Sequence, residues 1–554
     1  MTDVDQPRTG VFRTIALLAG SVALLTLAFA PVDQFYLAWV GLAPWLVFLA
    51  GARSKKSAFF WSWGAGTAFF TANMWWMSYI SWPGMAALMI FCGLYWGLTA
   101  LVIRGAGLLR GRILSGVLGI ALVWTAFEWL RGVIFTGLPW LFLGQTQTPN
   151  LGMCQIADIA GVYGVSFWVV TLNALVAMAW LNRDRPKRLI PAAAALLGML
   201  IVIAGYGVYR MAQTPRSLSP GPTVAVVQAN DPQSNSGEKG ATISQRLAFH
   251  VGQTISAIDR NPGKIDLVVW SETMMWPLNH EAREMDSVCE DLYERISRLC
   301  AKYHVALVTG GDYAADWRSE VRDGESDVVA HDKRNTAYFF DREGRMDDSL
   351  GHRYDKIHLV PWGEYIPGKD WANWLYRLSV ALGPRYYADY VMQPGKSDAL
   401  TVFHLTGDDG QEWRFVTPIC FEDIDARICS AMFRPRGAEG KRADFLVNLT
   451  NDGWFKANEN AQHLQAAIFR SIENRVWTAR SVNTGISGFI DSNGLPSDLL
   501  PVREEGTSVE QIMIDRRLTF YTKFGDLFAG ACVGGSAILA AWAWFEYKRK
   551  EQRS

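Results

Sequence analysis

The chain has no surplus of charge. Its 53 Lys and Arg residues are balanced by 53 Asp and Glu residues over 554 positions, for a formal net charge of +0. That removes any general electrostatic case for nucleic-acid binding. Metal-ligand spacing is missing as well. The 8 histidines form no HExxH pattern, and the 7 cysteines (Cys92, Cys154, Cys289, Cys300, Cys420, Cys429 and Cys532) contain no CxxC pair. A zinc ribbon and a dithiol redox site are therefore excluded, and neither a metal nor a cofactor is expected. No repeat of solenoid period is present. Charged residues make up only 19%, whereas apolar residues reach 50% and aromatics 13%, with 24 tryptophans. That composition suits a protein with membrane–water interfaces, and the length suits about two to four domains.

The apolar residues are unevenly spread. A bilayer-spanning helix needs roughly 20 mostly apolar residues. Eight segments read that way: 12–30, 35–51, 57–79, 84–108, 112–130, 162–181, 188–209 and 523–546. Basic content alternates between their connections. Arg8 and Arg13 precede the first, and Arg53, Lys55 and Lys56 follow the second. Arg104, Arg110 and Arg112 follow the fourth, Arg183 to Arg188 the sixth, and Lys548 to Arg553 close the chain. The intervening loops are nearly free of Lys and Arg. The positive-inside rule then places both termini in the cytoplasm and the block after the seventh span outside it.

That block is polar and mixed. Residues 211–222, rich in Pro, Ser and Gly, read as a linker. Strand patterns come next at 223–229, 265–270, 306–310, 336–341, 414–419, 444–449 and 485–491, with helical patterns at 241–260, 281–303 and 460–480. Such alternation predicts an α/β domain. The expected organisation is a membrane α-helical bundle over 1–210, the linker, an extracytoplasmic domain over 223–518, and a C-terminal span with its tail over 519–554.

Three apolar strands end on chemically useful groups. Val268-Val-Trp-Ser-Glu272 ends on a carboxylate. Lys356 lies in Tyr354-Asp-Lys-Ile-His-Leu-Val-Pro-Trp-Gly-Glu364-Tyr-Ile-Pro367. Arg414-Phe-Val-Thr-Pro-Ile-Cys420-Phe-Glu422-Asp423 delivers a thiol. A thiol at its ordinary pKa is a poor nucleophile near neutral pH and needs a base or a nearby cation. A glutamate in a partly apolar pocket can take its proton, and an ammonium can stabilise an oxyanion. Taken singly, each has a plain alternative: Cys420 as a small buried hydrophobe, Glu272 as a turn residue, Lys356 as a surface lysine. Glu128 and Arg131, at a span end, read either as a structural pair or as lining for a lipid entrance. His463 reads as structural rather than as a ligand. Residues 362–392 are loaded with aromatics, Trp362, Tyr365, Trp371, Trp374, Tyr376, Tyr386, Tyr387 and Tyr390 among them. An arm dipping into the interface is one reading and a packed insertion the other. Gly368 and Gly383 are candidate hinges.

Together, Glu272, Lys356 and Cys420 in these motifs resemble the Glu–Lys–Cys triad of the nitrilase superfamily. Asn448-Leu-Thr-Asn-Asp-Gly-Trp454, Gln462-His463, Arg470-Ser-Ile-Glu-Asn-Arg475 and Asn483-Thr-Gly-Ile-Ser487 extend the likeness. Joined to seven preceding spans and one following, the whole resembles the bacterial apolipoprotein N-acyltransferases, as do Phe127-Glu-Trp-Leu-Arg131, Gly137-Leu-Pro-Trp140 and Gly161-Val-Tyr-Gly164. The resemblance implies an αββα sandwich, with Cys420 as nucleophile, Glu272 as base, Lys356 as oxyanion stabiliser, and Glu364 and Glu422 as supporting carboxylates. It further implies an inner-membrane enzyme with a periplasmic catalytic domain, sufficient as a monomer. The enzyme would move an acyl chain from a glycerophospholipid, typically phosphatidylethanolamine, to a diacylglyceryl-modified N-terminal cysteine. Trp362, Tyr365 and Trp140 would meet lipid. One departure is Ser271, where the family usually has a proline; a serine is expected to leave Glu272 less firmly placed.

Overall fold

The computed structural model describes residues 10–232, 240–322, 325–349, 351–366, 369, 372–382, 392–396, 399–437, 440–455 and 459–551. The chain divides into two compact units. Met1–Ser78, Trp82–Gln213 and Thr519–Ser554 form the first; Tyr79–Ser81 and Thr214–Leu518 form the second.

The first unit is helical. Six of the described helices are long and apolar enough to cross a membrane: Val11–Ala28, Trp82–Gly105, Ile113–Val133, Ala157–Leu181, Pro186–Ser217 and Leu527–Phe545. The expected count of eight is not reached. The segment 35–51 is a short 3-10 turn, Phe35–Trp39, followed by the nine-residue helix Ala43–Gly51. Nine residues rise only about 13 Å, well short of the hydrocarbon core. Gly41 is held against Leu25, and Pro44 starts the helix afresh. The segment 57–79 forms the helix Lys55–Met74, in which Ser62, Gly64, Gly66, Thr67, Thr71 and Asn73 dilute the apolar run.

Aromatic packing and side-chain caps hold these helices together. Trp45 packs on Trp96 and Trp124 at ring distances of 5.5 and 5.7 Å. Arg104 donates to the Leu49 carbonyl at 2.6 Å and to that of Ala52, so its charge sits where the last helical carbonyls lack partners. Asn173 donates to the Ala38 carbonyl at 2.7 Å and accepts from the Leu42 N–H at 2.7 Å. Glu128 and Arg131 brace a turn. Arg131 donates to the carbonyls of Leu138 and Trp140 at 2.8 and 2.6 Å, and Glu128 accepts the Leu143 N–H at 2.8 Å.

The second unit is a sandwich of two six-stranded sheets. Its strands are β1 Leu218–Gln228, β2 Leu267–Trp270, β3 Ala306–Arg322, β4 Glu325–Phe340, β5 Arg353–Asp355, β6 Phe403–Thr406, β7 Glu412–Val416, β8 Phe445–Thr450, β9 Thr478–Val482, β10 Gly488–Ile490, β11 Pro496–Ser497 and β12 Gly506–Asp515. One sheet runs β12-β1-β2-β3-β4-β5 and the other β11-β10-β9-β8-β7-β6. The central strands pair in parallel; β2 is buried at every residue and reads as an unbroken apolar run, whereas the equally buried β8 and β9 carry Asn448, Thr450, Arg480 and Ser481 among their apolar residues.

The period of two sorts their side chains into layers. Val224, Val226, Val269, Val308, Ala337 and Phe339 face inward and share a core with Phe415, Phe445, Val447 and Ala479 of the second sheet. Ala225, Val227, Val268 and Leu307 face outward, against Leu247 and Ala257 of helix Ile243–Arg260 and Leu292, Ile296 and Leu299 of helix Ser287–Tyr303. This is an αββα arrangement.

The stretch 211–222 is not a linker. The preceding helix runs to Ser217 and β1 begins at Leu218. Pro215 lies in that helix, and Pro220 and Pro222 sit at a register shift in the β1–β12 pairing between Pro220 and Thr223, where a residue without an N–H costs no ladder bond. Cys289 and Cys300 are both free. They lie eleven residues apart on one helix, Ser287–Tyr303, a rise of roughly 16 Å that no disulfide spans.

Candidate active site

Three strand ends converge in the second unit. Glu272 lies two residues beyond β2, Lys356 directly after β5, and Cys420 at the start of the 3-10 turn Cys420–Ile424 beyond β7. The turn is sharp. Cys420 has φ 49°, a left-handed value that a non-glycine residue adopts only when its surroundings impose it. Ile419, just before it, still bridges to Leu449 of β8, so the strand is held up to the thiol.

Lys356 Nζ donates to Glu272 at 3.3 Å and to Glu364 at 2.9 Å. Asn335 Nδ2 donates to the same two carboxylates at 2.7 and 2.8 Å. The outer oxygens are held by backbone: Glu272 accepts the Asn451 N–H at 2.8 Å, and Glu364 accepts the Val360 N–H at 2.8 Å. The Cys420 thiol and Glu272 lie close enough to shift one another's proton affinity. Glu422 ties two of the converging segments together. It accepts N–H groups from Ile357 and His358 at 2.7 and 2.9 Å, from Ile419 at 2.9 Å, and the Tyr354 hydroxyl at 3.0 Å. The residue after Lys356 and the residue before Cys420 thus hang on one carboxylate.

Burial and neighbouring charge set the protonation states. Burial raises the Glu272 carboxyl; Lys356 opposes that shift and Glu364 adds to it. Burial acts against the Lys356 ammonium, but Glu364 and Glu272 outweigh it and hold the pKa well above an ordinary lysine's. Burial, then Glu272, pushes the Cys420 thiol far up, with Lys356 pulling the other way. At rest the site therefore holds a neutral thiol, a fixed ammonium and a carboxylate poised to take a proton.

Ser271 does not loosen Glu272. Its hydroxyl is buried and bonds to the Val227 carbonyl at 3.3 Å and to Ser481 at 3.1 Å. Gly310 of β3 lies so close that an added Cβ would sit 2.5 Å from Glu272 Cα. Hydrogen bonds and a close backbone contact thus do what a proline was expected to do.

Glu272, Lys356, Cys420, Glu364 and Glu422 are brought together. Trp362 and Tyr365 flank Glu364 in a tight turn, with the Trp362 N–H donating to the Tyr365 carbonyl at 2.7 Å and the Trp362 indole to Ser379 at 3.0 Å. Trp140 belongs to the first unit, where it packs on Trp76 at 5.5 Å. Gly368, Trp371, Gly383, Tyr386, Tyr387 and Tyr390 lie outside the described residues.

Asn335 is a site residue that pattern reading missed, and Asn451 stood only as part of the Asn448–Trp454 motif, without a role. Neither ends a strand on a reactive group, and only register brings them in: Asn335 sits on β4 opposite Asp312 of β3. Behind the site, His463 Nε2 meets Asp423 at 2.7 Å, and its Nδ1 faces Asp452 and Glu459 at 3.2 and 3.1 Å. Asp452, Glu459 and His463 bring three metal-capable atoms within 4.8 Å of one another. Burial opposes the imidazolium, but Asp423 and Asp452 hold its pKa well above the usual histidine value, so a cation already occupies the middle of this acidic cluster.

A two-sheet sandwich with a thiol, a carboxylate and an ammonium gathered at its strand ends is the architecture of the carbon–nitrogen hydrolase class. The family description "Carbon-nitrogen hydrolase" matches residues 223–518, and "Apolipoprotein N-acyltransferase N-terminal domain" matches 21–175. The apolipoprotein N-acyltransferase of Geobacter metallireducens is 29% identical over 552 residues, covering 97% of this chain and 95% of that one. Its counterpart in Chlorobaculum tepidum is 30% identical over 514 residues, covering 91% of each. Among solved structures, an amidase from Nesterenkonia sp. is 14% identical over 56% of this chain and 93% of that one, with a TM-score of 0.34. The chain belongs to the apolipoprotein N-acyltransferase family. It is a multi-pass membrane protein.

Proposed function

We propose that the protein acylates lipoproteins through a Cys420 thioester. The acyl donor is a glycerophospholipid, phosphatidylethanolamine in particular. The acceptor is the α-amino group of a diacylglyceryl-modified N-terminal cysteine. The observation that carries this reading is the buried Glu272–Lys356–Glu364 cluster beside a thiol on a strained turn, in a chain with six membrane-length helices among the described residues.

In the first half-reaction Glu272 takes the Cys420 proton as sulfur attacks the ester carbonyl. The oxyanion is stabilised by Lys356 and by a backbone N–H following the cysteine. Glu364 fixes the ammonium, and Glu422 fixes the turn. On collapse the C–O bond breaks and Glu272 returns the proton to the lysophospholipid oxygen. In the second, the amine attacks the thioester carbonyl and passes a proton to Glu272. The C–S bond then breaks, and the sulfur is reprotonated by Glu272. Splitting one transfer into two implies ping-pong kinetics.

The basic loops support cytoplasmic termini and a periplasmic catalytic domain in the inner membrane. Trp362, Tyr365 and Trp140 are the proposed lipid contacts, and a monomer suffices for the mechanism. The test is mass spectrometry of the intact protein after exposure to phospholipid vesicles. One acyl chain on Cys420, discharged by a lipopeptide amine, is expected. Rapid release of fatty acid to water, with no discharge to the amine, would overturn the transferase reading in favour of a hydrolase.

A further inference from the structure

The long hairpin of β3 and β4 carries a carboxylate that the acyl-transfer steps leave unused. Asp312 and Asn335 are directly opposed in the β3–β4 register. Opposed residues point to the same face of a sheet with Cβ atoms about 5 Å apart. That face is the inner one. Two residues before Asp312 on the same side is Gly310, packed against Glu272, and before that Val308 of the inter-sheet core. Asn335 is the side chain that grips Glu272 and Glu364. Asp312 therefore stands one side chain outward from the reacting cluster, at the end of the sheet where β3 leaves the core.

Its state is unusual. The Tyr338 hydroxyl bonds to the backbone carbonyl of Asp312 at 2.9 Å, but among the described residues its carboxylate has no hydrogen-bond or ion-pair partner. Lys333, diagonal to it on the same face, is close enough to be felt but closes no ion pair. Arg246 is already engaged by Asp231. The residue is half-buried, so the carboxylate is sheltered yet reachable. Burial, with Lys333 opposing it and Glu272 and Glu364 adding to it, pushes its pKa up to about 6. An unpaired carboxylate costs free energy when sheltered and recovers it when a cation arrives.

We propose that Asp312 seats a primary ammonium group of a substrate at the mouth of the thioester site. This rests on the proposed acyl-transfer function. Both substrates of that reaction offer the same chemistry: the acceptor's α-ammonium and the ethanolamine of the donor headgroup. Seating the ammonium beside Asn335 holds the donor headgroup near the ester to be cleaved, or the acceptor nitrogen near the thioester carbonyl; the acceptor ammonium first gives one proton to water, and the amine so formed attacks and passes its second proton to Glu272. Lys333 opposes the upward shift of Asp312 without closing an ion pair to it.

The experiment uses the full-length protein in lipid nanodiscs, comparing wild type, Asp312→Asn and Asp312→Glu. Thioester formation on Cys420 is followed by mass spectrometry with phosphatidylethanolamine and, separately, with phosphatidylglycerol, which has no amine. Discharge is followed with a diacylglyceryl lipopeptide bearing a free α-amino group. If the wild type forms no thioester, the function itself fails, whatever Asp312 does. If it does form one, Asp312→Asn is expected to raise the KM for the lipopeptide about tenfold, with Asp312→Glu recovering part of the loss. A selective fall in the ethanolamine-to-glycerol donor ratio instead assigns the seat to the donor headgroup. An unchanged lipopeptide KM with equal rates from both donors would overturn the proposal. So would an equal loss with both donors and no change in lipopeptide KM, which marks a merely structural aspartate.

Discussion

Replacing Asn335 by alanine tests how much of the site depends on a residue with no chemistry of its own. Its Nδ2 holds Glu272 and Glu364 at 2.7 and 2.8 Å, and Asn335 is 2% exposed. Hydrogen bonds to charged groups are worth about 1.5–3 kcal/mol each, so the pair contributes ~3 kcal/mol at the lower end. Water entering the hole replaces part of it. If half the remainder appears in the acylation barrier, the rate falls about tenfold, since 1.36 kcal/mol is one decade. The substitution also has a directional signature. Asn335 favours the ionised form of Glu272, so its loss raises that carboxyl further above its ordinary value. Glu272 must be ionised to accept the thiol proton, so the rising limb of the pH–rate profile should move to higher pH. The assay is single-turnover thioester formation against pH, with the thermal midpoint as a folding control. An unchanged rate with an unmoved limb would refute the reasoning.

Other expectations rest on the same contacts. Gly310→Ala brings a Cβ to 2.5 Å from Glu272 Cα, so strand or base must shift. Misplacement of about 1 Å can cost on the order of 10²-fold, and acylation should fall accordingly while the sandwich still folds. Glu459, buried beside Asp452, has its carboxyl raised to about 7 from an ordinary 4.5. A carboxyl raised in the folded state loses stabilisation as pH climbs between those values. Glu459→Gln should flatten the fall in thermal midpoint across that window, and an identical slope in both proteins would contradict this. For topology, Glu505→Cys in a Cys420→Ala background should react with a membrane-impermeant maleimide on intact cells, and Arg185→Cys only after cells are opened. The reverse pattern would invert the proposed orientation.

Several features were legible in the chain because they are local. A parallel strand buried on both faces tends to be an apolar run, so β2 announces itself, as does the apolar stretch Phe415–Ile419 that ends β7, and the residues just past each run are delivered to the sheet's rim. Glu272, Lys356 and Cys420 could therefore be picked out one by one. The α/β alternation was readable for the same reason, since periods of 2 and 3.6 are properties of a few consecutive residues.

Features that the sequence could not decide depend on partners far along the chain. Residues 35–51 have the composition of a span, yet Gly41 and Pro44 cut them short, and only packing shows that the nine residues left do not reach across. Residues 211–222 have the composition of a linker, yet a helix carries Pro215 and the pairing of β1 with β12 tolerates Pro220 and Pro222 at a bulge. Ser271 looked like a loss of stiffness, but Val227 and Ser481 anchor it. Asn335 and Asp312 carry no local signal at all. The sequence by itself determined which groups could react and roughly which elements carry them. Tertiary structure alone decided that Asn335 joins two carboxylates and that Asp312 stands beside it without a partner among the described residues. The physical reason is that strand register and charge pairing are relations between distant segments, and local pattern does not record them.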